Sequence, residues 1–355
     1  MSAKTVQFGL PTGRRCAAFG LPYKRRRAAP VKKMTMVRLL ALGSDNFTQV
    51  VYADDIGIFY MQRSSYLFRV ANDLKTYTSV GCVPSGSYPG GMLAARAGGA
   101  VFVTTTDFTS DGAMFWQSTD QGDSWTQKTG TVSQVSKYWR AAYASRQSAY
   151  VLVGGDAGAL NFYNGATLND LGTSKPSSYE ITRVRILKSG TKYYAFVGYT
   201  TYGTDYNQHN LRRCLSLATS ARTWVSIAPT SLDGGGVYGL AIPDILSAQA
   251  IMIGHGLGRI SVTRDVLSDA PAWDTSQPDA DFTGIYYGSV ISDNLDRWAV
   301  CGEDGQVMVS YDGVSWQKVT PAGGYVGTFY DVAYAADIDT FMFVGQYGEV
   351  QYLAM

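Results

Sequence analysis

Phe341-Met342-Phe343-Val344-Gly345 is the last of seven short apolar stretches that set the fold. The others are Gly57-Ile58-Phe59-Tyr60-Met61, Ala100-Val101-Phe102-Val103-Thr104, Tyr150-Val151-Leu152-Val153-Gly154, Tyr194-Ala195-Phe196-Val197-Gly198, Ala250-Ile251-Met252-Ile253-Gly254 and Trp298-Ala299-Val300-Cys301-Gly302. Their end points fall 43, 50, 44, 56, 48 and 43 residues apart. A short apolar run bounded by turn residues suits a strand buried on both faces. Recurrence at a period in the forties is the pattern of four-stranded propeller blades. The expected fold is all-β, a seven-bladed β-propeller.

Composition agrees with many short strands joined by tight turns. Of the 355 residues, 13% are aromatic and 39 are glycine, and no segment keeps a 3.6-residue apolar period, so almost no helix is expected. The four cysteines (Cys16, Cys82, Cys214, Cys301) are far apart, with no CxxC pair. They read as free thiols, with neither a metal site nor a disulfide framework. No cofactor is expected. The N-terminus has charge but no apolar core of a signal peptide, and no apolar run approaches the roughly 18 residues of a membrane span. A soluble protein made without a secretory signal is expected.

The net charge of +2 conceals a split. Residues 1–38 carry ten bases and no acid, which leaves 20 bases against 28 acids in the remainder. Within this basic arm, Phe8-Gly9-Leu10-Pro11-Thr12-Gly13-Arg14-Arg15-Cys16-Ala17-Ala18 is followed at once by Phe19-Gly20-Leu21-Pro22-Tyr23-Lys24-Arg25-Arg26-Arg27-Ala28-Ala29, identical at eight of eleven positions. Pro and Gly oppose regular structure, and the segment lacks the apolar content to fold alone. Each copy offers an apolar anchor (Phe8 and Leu10, then Phe19 and Leu21) and a basic cluster (Arg14 and Arg15, then Arg25, Arg26 and Arg27). Two tethered copies suit two equivalent docking sites on a partner. The bland alternative is an unstructured basic tail. Residues 1–34 are therefore read as an extended arm and 35–355 as the propeller.

The turns between third and fourth strands have a signature of their own. Ser118-Thr119-Asp120-Gln121-Gly122-Asp123-Ser124-Trp125 and the shorter Ser310-Tyr311-Asp312-Gly313-Val314-Ser315-Trp316 share a Ser, an Asp, a Gly and a closing Ser-Trp. Degenerate copies begin at Asn72, Asn164 and Thr219. An Asp or Asn side chain accepts backbone N–H groups in such a turn, Gly supplies positive φ, and the aromatic tucks between strands. Over residues 36–355 the chain thus resembles the Asp-box (BNR, sialidase-like) propellers. The resemblance implies structural roles on the outer rim for Asp120, Gly122, Trp125, Asp312, Gly313 and Trp316.

Strand counting leaves the seventh blade one strand short, because the chain stops soon after Glu349-Val350-Gln351-Tyr352-Leu353. The strand-like segment 35–42 is expected to fill the gap and remove the exposed edge.

The resemblance raises sialidase chemistry, which in that family uses an arginine triad, a Tyr–Glu pair, an Asp acid/base and a [FY]-R-I-P motif. That motif is absent, and the only glutamates are Glu180, Glu303 and Glu349, the last two read as residues of turns between second and third strands. No zincin, P-loop or nucleophile-elbow pattern occurs. His209 and His255 stand alone and read as solvated or hydrogen-bonded side chains. A non-enzymatic protein is expected. A possible binding loop lies in the fourth blade, with Tyr199, Tyr202 and Tyr206 followed by Arg212 and Arg213, and with Arg183 and Arg185 nearby on one strand face. The alternative is a solvated loop beside ordinary surface arginines.

The favoured reading is a structural docking disc of a virion, a bacteriophage tail or capsid-associated component present in several copies and tied to neighbouring subunits by its arm. By architecture it resembles such phage proteins. A glycan-binding or glycan-cleaving propeller is one alternative. Another is an assembly factor similar to those of photosystem II, which usually carry a targeting segment that this chain lacks. In a third, the arm contacts nucleic acid through its clustered bases.

Overall fold

The apolar runs become the second strands of seven four-stranded antiparallel sheets. The computed structural model describes residues 34, 36–41, 44–63, 66–80, 93–96, 98–107, 112–128, 139–146, 150–155, 159–171, 179–201, 211–214, 217, 223–229, 236–243 and 250–355. The basic arm with its duplicated anchors lies outside the described residues, as do His209, Tyr202 and Tyr206.

The first described strand, β1 (Val37–Ala41), is followed by blade 1, with β2 (Phe47–Ala53), β3 (Ile58–Arg63), β4 (Tyr66–Ala71) and β5 (Tyr77–Val80). Blade 2 holds β6 (Leu93–Arg96), β7 (Ala100–Asp107), β8 (Gly112–Ser118) and β9 (Thr126–Lys128). Blade 3 holds β10 (Trp139–Ala144), β11 (Val151–Gly155), β12 (Leu160–Tyr163) and β13 (Leu168–Asp170), and blade 4 the longer β14 (Tyr179–Ser189) and β15 (Lys192–Thr201) with β16 (Leu211–Cys214) and β17 (Trp224–Ser226). Blade 5 has β18 (Gly239–Ala241), β19 (Ile251–Gly254), β20 (Ile260–Thr263) and β21 (Asp274–Ser276). Blade 6 has β22 (Tyr286–Ile291), β23 (Trp298–Gly302), β24 (Val307–Ser310) and β25 (Trp316–Lys318). Blade 7 supplies β26 (Phe329–Ala335), β27 (Thr340–Gly345) and β28 (Glu349–Ala354). Its sheet runs β1-β28-β27-β26, with Val37 opposite Tyr352 and Ala41 opposite Glu349. The chain is an all-β seven-bladed propeller in which one blade draws its outermost strand from before the first blade.

Apolar side chains on both faces of the middle strands are explained by where the core sits. Seven buried clusters each lie between two consecutive blades. Phe47, Phe59 and Met61 meet Met342 and Val344 across blades 1 and 7, and Phe102 and Phe115 meet Val151 and Tyr163 across blades 2 and 3. Every residue of β11, β19, β20, β23, β24 and β27 is buried, whereas β5, β9 and β21 on the rim are mostly exposed. Each fully buried Val, Leu, Ile or Phe contributes about 1.5–3 kcal/mol relative to exposure.

Two glycines that close apolar runs, Gly198 within β15 and Gly254 at the end of β19, have a packing reason. A Cβ on Gly198 would lie 2.8 Å from Val237 Cγ1, and one on Gly254 would lie 2.8 Å from Tyr286 Cβ, both on the next blade. The next inner strand crosses where the apolar run ends, and only a residue without a side chain lets it pass.

The turn carboxylates act as local acceptors. Asp120 Oδ1 accepts the Ser124 N–H at 2.8 Å while Ser118 Oγ accepts the Gly122 N–H at 2.7 Å. Asp312 Oδ1 accepts the Val314 and Ser315 N–H groups at 2.8 and 2.7 Å, with Gly313 at φ 71°. In blade 1 the acceptor is Asp73, whose Oδ1 takes the N–H groups of Lys75 and Thr76 at 2.9 and 3.1 Å. Asn72, expected in that role, instead donates to Asp337 Oδ2 at 2.5 Å and ties blade 1 to blade 7. Trp125 and Trp316 are half-buried, packed against the clusters between blades 1 and 2 and between blades 5 and 6. Glu349 opens β28 and is 1% exposed, so it is a buried strand residue and not a turn residue.

Candidate functional site

All seven inner strands border one axial cavity of about 130 Å³. Most of its wall is small or aliphatic (Ala94, Ala142, Ala241, Val50, Val332), and charge enters through Arg185, Asp331, Asp293 and Arg146. The two ends of the channel differ.

At the end where the inner strands begin, three tyrosines follow one another round the mouth. Tyr238 precedes β18, and Tyr287 and Tyr330 each occupy a register shift in β22 and β26. A bulge leaves one residue out of the ladder and re-aims its side chain. Ring centroids are 5.7 Å apart for Tyr238 and Tyr287 and 6.0 Å for Tyr287 and Tyr330, tilted at 75° and 59°. Two of the hydroxyls, those of Tyr287 and Tyr330, are held from outside. Tyr287 donates to Glu303 Oε1 at 3.3 Å, and Gln346 Nε2 donates to the Tyr330 hydroxyl at 3.1 Å. Burial, helped by the Glu303 carboxylate, raises the Tyr287 hydroxyl above its ordinary value. Arg183 of blade 4 reaches past blade 5 to donate through Nη2 to the Tyr287 carbonyl at 2.8 Å.

Around this mouth stand turns with strained tips. Leu257, Asp304 and Tyr347 have φ of 59°, 53° and 59°, each followed by a glycine also at positive φ. Leu257 is 42% exposed and Tyr347 64%, and Val326, in the loop leading to β26, is 77% exposed. Side chains held in the left-handed region cost about 1–3 kcal/mol each and cluster at functional sites.

Deeper in the channel, Arg185 lies 4.9 Å from the Tyr143 ring centroid and donates through Nη1 to its neighbour's carbonyl on Val184 at 2.8 Å. Burial draws its guanidinium down to about 10, against the opposing pull of Asp331. Asp331 Oδ2 accepts the Val50 N–H at 3.1 Å. Its own burial pushes the carboxyl up, while Arg183 and Arg185 draw it back. At the far end, Arg146 Nη1 pairs with Asp54 Oδ2 at 2.9 Å and Asp293 Oδ2 at 3.5 Å, joining blades 3, 1 and 6.

The fourth-blade loop expected from sequence is not the site. Tyr199 lies inside β15, 2% exposed, in the core between blades 3 and 4. Arg213 is fully buried, with Nη1 donating to the Val266 and Ser268 carbonyls at 2.7 and 3.0 Å and Nη2 pairing with Asp269 at 2.5 Å, a clamp from blade 4 to blade 5. Arg212 is half-buried in β16. Arg183 and Arg185 do share a face of β14, but it turns inward: Arg185 borders the channel and Arg183 reaches the Tyr287 carbonyl. The tyrosine mouth was missed, although the aromatic pairs Tyr286-Tyr287 and Phe329-Tyr330 stand at corresponding places in successive blades. Cys214 and Cys301 are buried free thiols, and His255 Nε2 lies 3.1 Å from Ser261 Oγ. Among the described residues no group of three or more His, Cys, Asp or Glu could hold a metal ion, and no helix is long and apolar enough to cross a membrane.

No protein-family model matches the chain, and no curated protein sequence matches it. Solved structures do. The chain is similar to the structure "YCF48 bound to D1 peptide", with a TM-score of 0.63, 12% identity, and 92% of this chain and 98% of that one covered. It is similar to U3-55K at a TM-score of 0.65 and 9% identity, covering 90% and 98%. A chain of the mitotic checkpoint complex gives a TM-score of 0.66 at 12% identity, covering 100% and 99%. At such identities the likeness shows the propeller fold.

Proposed function

We propose that this protein is a non-catalytic docking propeller that receives an extended polypeptide segment across the tyrosine mouth of its channel. The basic N-terminal arm would hold it in a larger particle, with a virion tail or capsid-associated position the reading that best fits the duplicated arm. The observation that carries the docking role is the row Tyr238, Tyr287 and Tyr330, the last two fixed by hydrogen bonds to their hydroxyls, ringed by the exposed tips Leu257, Val326 and Tyr347. Rigid aromatics with a polar end give contact area at low entropic cost, and such residues dominate interface hot spots. Arg183 adds a guanidinium anchored on a backbone carbonyl beside the rings. The structure of YCF48 with D1 peptide offers a peptide-bound propeller as precedent.

The test is selection of displayed linear peptides on the full-length chain, repeated on a Tyr287→Ala/Tyr330→Ala variant. Enrichment of related sequences that bind the wild type and fail on the double variant supports the reading. Failure to enrich any sequence, or equal binding to a double variant with unchanged melting, overturns it.

A further inference from the structure

Among the described residues eight large apolar side chains are exposed, and three of them, Leu257, Val326 and Tyr347, stand round the tyrosine mouth. Soluble bodies rarely leave such groups together unless a partner covers them. The row itself is one-sided. In blades 1 and 4 the residues at the same kind of register shift are Thr48 and Thr182, where blades 6 and 7 have Tyr287 and Tyr330. The aromatic arc therefore runs over blades 5 to 7, and an occupant lies along that arc.

The charges round the arc favour a basic occupant. On the turns and loops that flank it, Asp281, Glu303 and Asp304 form no ion pair among the described residues, and Asp279 is neutralised by Lys318 at 2.7 Å. The opposing cations are Arg259, on the turn that carries Leu257, and Arg183, whose guanidinium is committed to the Thr182 and Tyr287 carbonyls. Three carboxylates against two guanidiniums leave one net negative charge, and Asp304 is exposed at the tip of its turn. The arm has the opposite sign, with ten bases and no acid over residues 1–38.

We infer that the segment received by the mouth is the repeated Phe-Gly-Leu-Pro unit of the arm, residues 8–11 or 19–22, supplied by a second copy of this chain. The inference rests on the docking reading of the mouth and names its occupant. A proline pushes the residue before it toward extended backbone, and that residue is Leu10 or Leu21. In an extended segment residues two apart share a side at about 6.6 Å, so Phe8 with Leu10, or Phe19 with Leu21, match rings 5.7 and 6.0 Å apart. Aromatic-lined surfaces take proline-containing extended segments because little entropy is lost on binding. Each unit brings its basic cluster toward a mouth of opposite charge. Met34 follows Phe19 by 15 positions, which span up to about 50 Å when extended, against a radius of gyration of about 20 Å for a compact body of the propeller's length. That reach extends to a neighbouring disc. Each copy has one mouth and two units, so the contact is heterologous and joins copies into rings or filaments.

Sedimentation of the nuclease-treated full-length chain over a range of concentrations tests this with two double variants. Tyr287→Ala/Tyr330→Ala removes the mouth, and Phe8→Ala/Phe19→Ala removes the anchors while leaving the propeller sequence intact. The wild type should self-associate as concentration rises, and each double variant should weaken association at least about tenfold, as loss of interface hot spots does. Mixed together, the two variants should associate again, because one supplies the arm and the other the mouth. Those complexes should hold at most two mouth-bearing copies for each arm. Asp304→Lys should weaken wild-type association about threefold, the scale of an exposed charge pair. Lys75→Gln, on the turn between β4 and β5 and away from the mouth, should change nothing. If the tyrosine variant fails to fold, the anchor variant and Asp304→Lys carry the test. A monomer at every concentration overturns the proposal, as does association that either folded double variant retains, a mixture that stays dissociated, or association seen only before nuclease treatment. Displayed peptides that bind the mouth of a chain that stays monomeric would uphold docking and overturn only the arm as its occupant.

Discussion

Arg38 on the first strand and Glu349 on the last are 311 positions apart in sequence, and they meet across the seam that closes the ring. Arg38 Nε donates to Glu349 Oε2 at 2.9 Å, Nη2 reaches the same oxygen, and Gln351 Nε2 donates to Oε1 at 2.7 Å. The carboxylate is 1% exposed while the guanidinium is half-exposed, so solvent weakens the pair on one side only. Arg38→Ala strands a buried carboxylate with one side-chain donor, and should cost about 1–2 kcal/mol after screening is allowed for. Truncation sharpens the test. A chain starting at residue 34 keeps β1 and should melt near the wild type, whereas one starting at 44 bares the edge of β28 and should melt lower and aggregate. Equal melting of the two would refute a closing role for β1.

The glycine at the end of β19 predicts a second loss. Gly254→Ala places a methyl against Tyr286 of blade 6, on an inner strand that two neighbouring clusters hold in place. Overpacking of this kind costs about 1–3 kcal/mol. Gly190, with open space around its Cβ position but φ at 60°, separates backbone strain from packing. Denaturant melts should place Gly190→Ala between the wild type and Gly254→Ala. The opposite order would show that backbone strain outweighs packing.

Acid should weaken the rim before the core. Asp120 is held at about 2 rather than 3.8, because the Ser124 hydroxyl and N–H and the Ser118 hydroxyl stabilise its anion. A carboxylate with a depressed folded value stabilises the fold above its unfolded value, and that contribution fades as pH falls from about 4 to about 2. Asp73 and Asp312 shift in the same direction. For Asp73 the cause is its turn N–H groups, and for Asp312 the turn hydrogen bonds outweigh a burial that acts the other way. Asp331 has the reverse sign: burial raises it, so its ionisation opposes folding as pH rises. Melting curves should show Asp120→Asn below the wild type near neutrality and level with it near pH 2. Asp331→Asn should show no such deficit near neutrality. A deficit for Asp120→Asn that persists at pH 2 would mean that the charge is not what the turn uses.

The architecture was legible because the core lies between blades, which makes each middle strand apolar on both faces and forces its period into the sequence. The turns were legible for a local reason, since Ser, Asp and Gly satisfy backbone groups within a few residues. The channel was not, because its chemistry joins residues distant in sequence. Nothing near Arg183 points to Tyr287, two blades away, and nothing near Arg185 points to Asp331. Tyr199 and Arg213 misled for the complementary reason. A tyrosine at a strand end and an arginine after a polar loop read as surface groups, yet β15 carries Tyr199 and β16 carries Arg213 into inter-blade packing. Trp125 and Trp316 are only half-buried, so replacing either by Ala should cost less than the roughly 3–5 kcal/mol of a fully buried tryptophan. Trp298, fully buried beneath the Gly313 turn with Nε1 donating to the Leu295 carbonyl at 2.9 Å, should cost the full amount.

The arm should anchor the protein in its assembly through two interchangeable units. Residues 8–18 and 19–29 repeat the order Phe, Gly, Leu, Pro and then paired arginines, so equivalent apolar pockets beside acidic or phosphate-bearing surfaces should receive Phe8 and Phe19. Two weak tethered contacts reinforce each other through effective concentration, so losing one leaves a weakened attachment and losing both removes it. Replacing Arg14 and Arg15 should lower incorporation into particles about tenfold, and replacing Arg25, Arg26 and Arg27 as well should lower it by about 10²-fold or more. The attachment left in either single-cluster variant should weaken further as salt is raised, since exposed charges are screened beyond about 10 Å at 0.1 M. Particle purification with quantitative mass spectrometry of subunit occupancy gives the readout. A propeller lacking residues 1–33 that enters particles at wild-type occupancy would refute anchoring by the arm and make the tyrosine mouth the first surface to test for attachment.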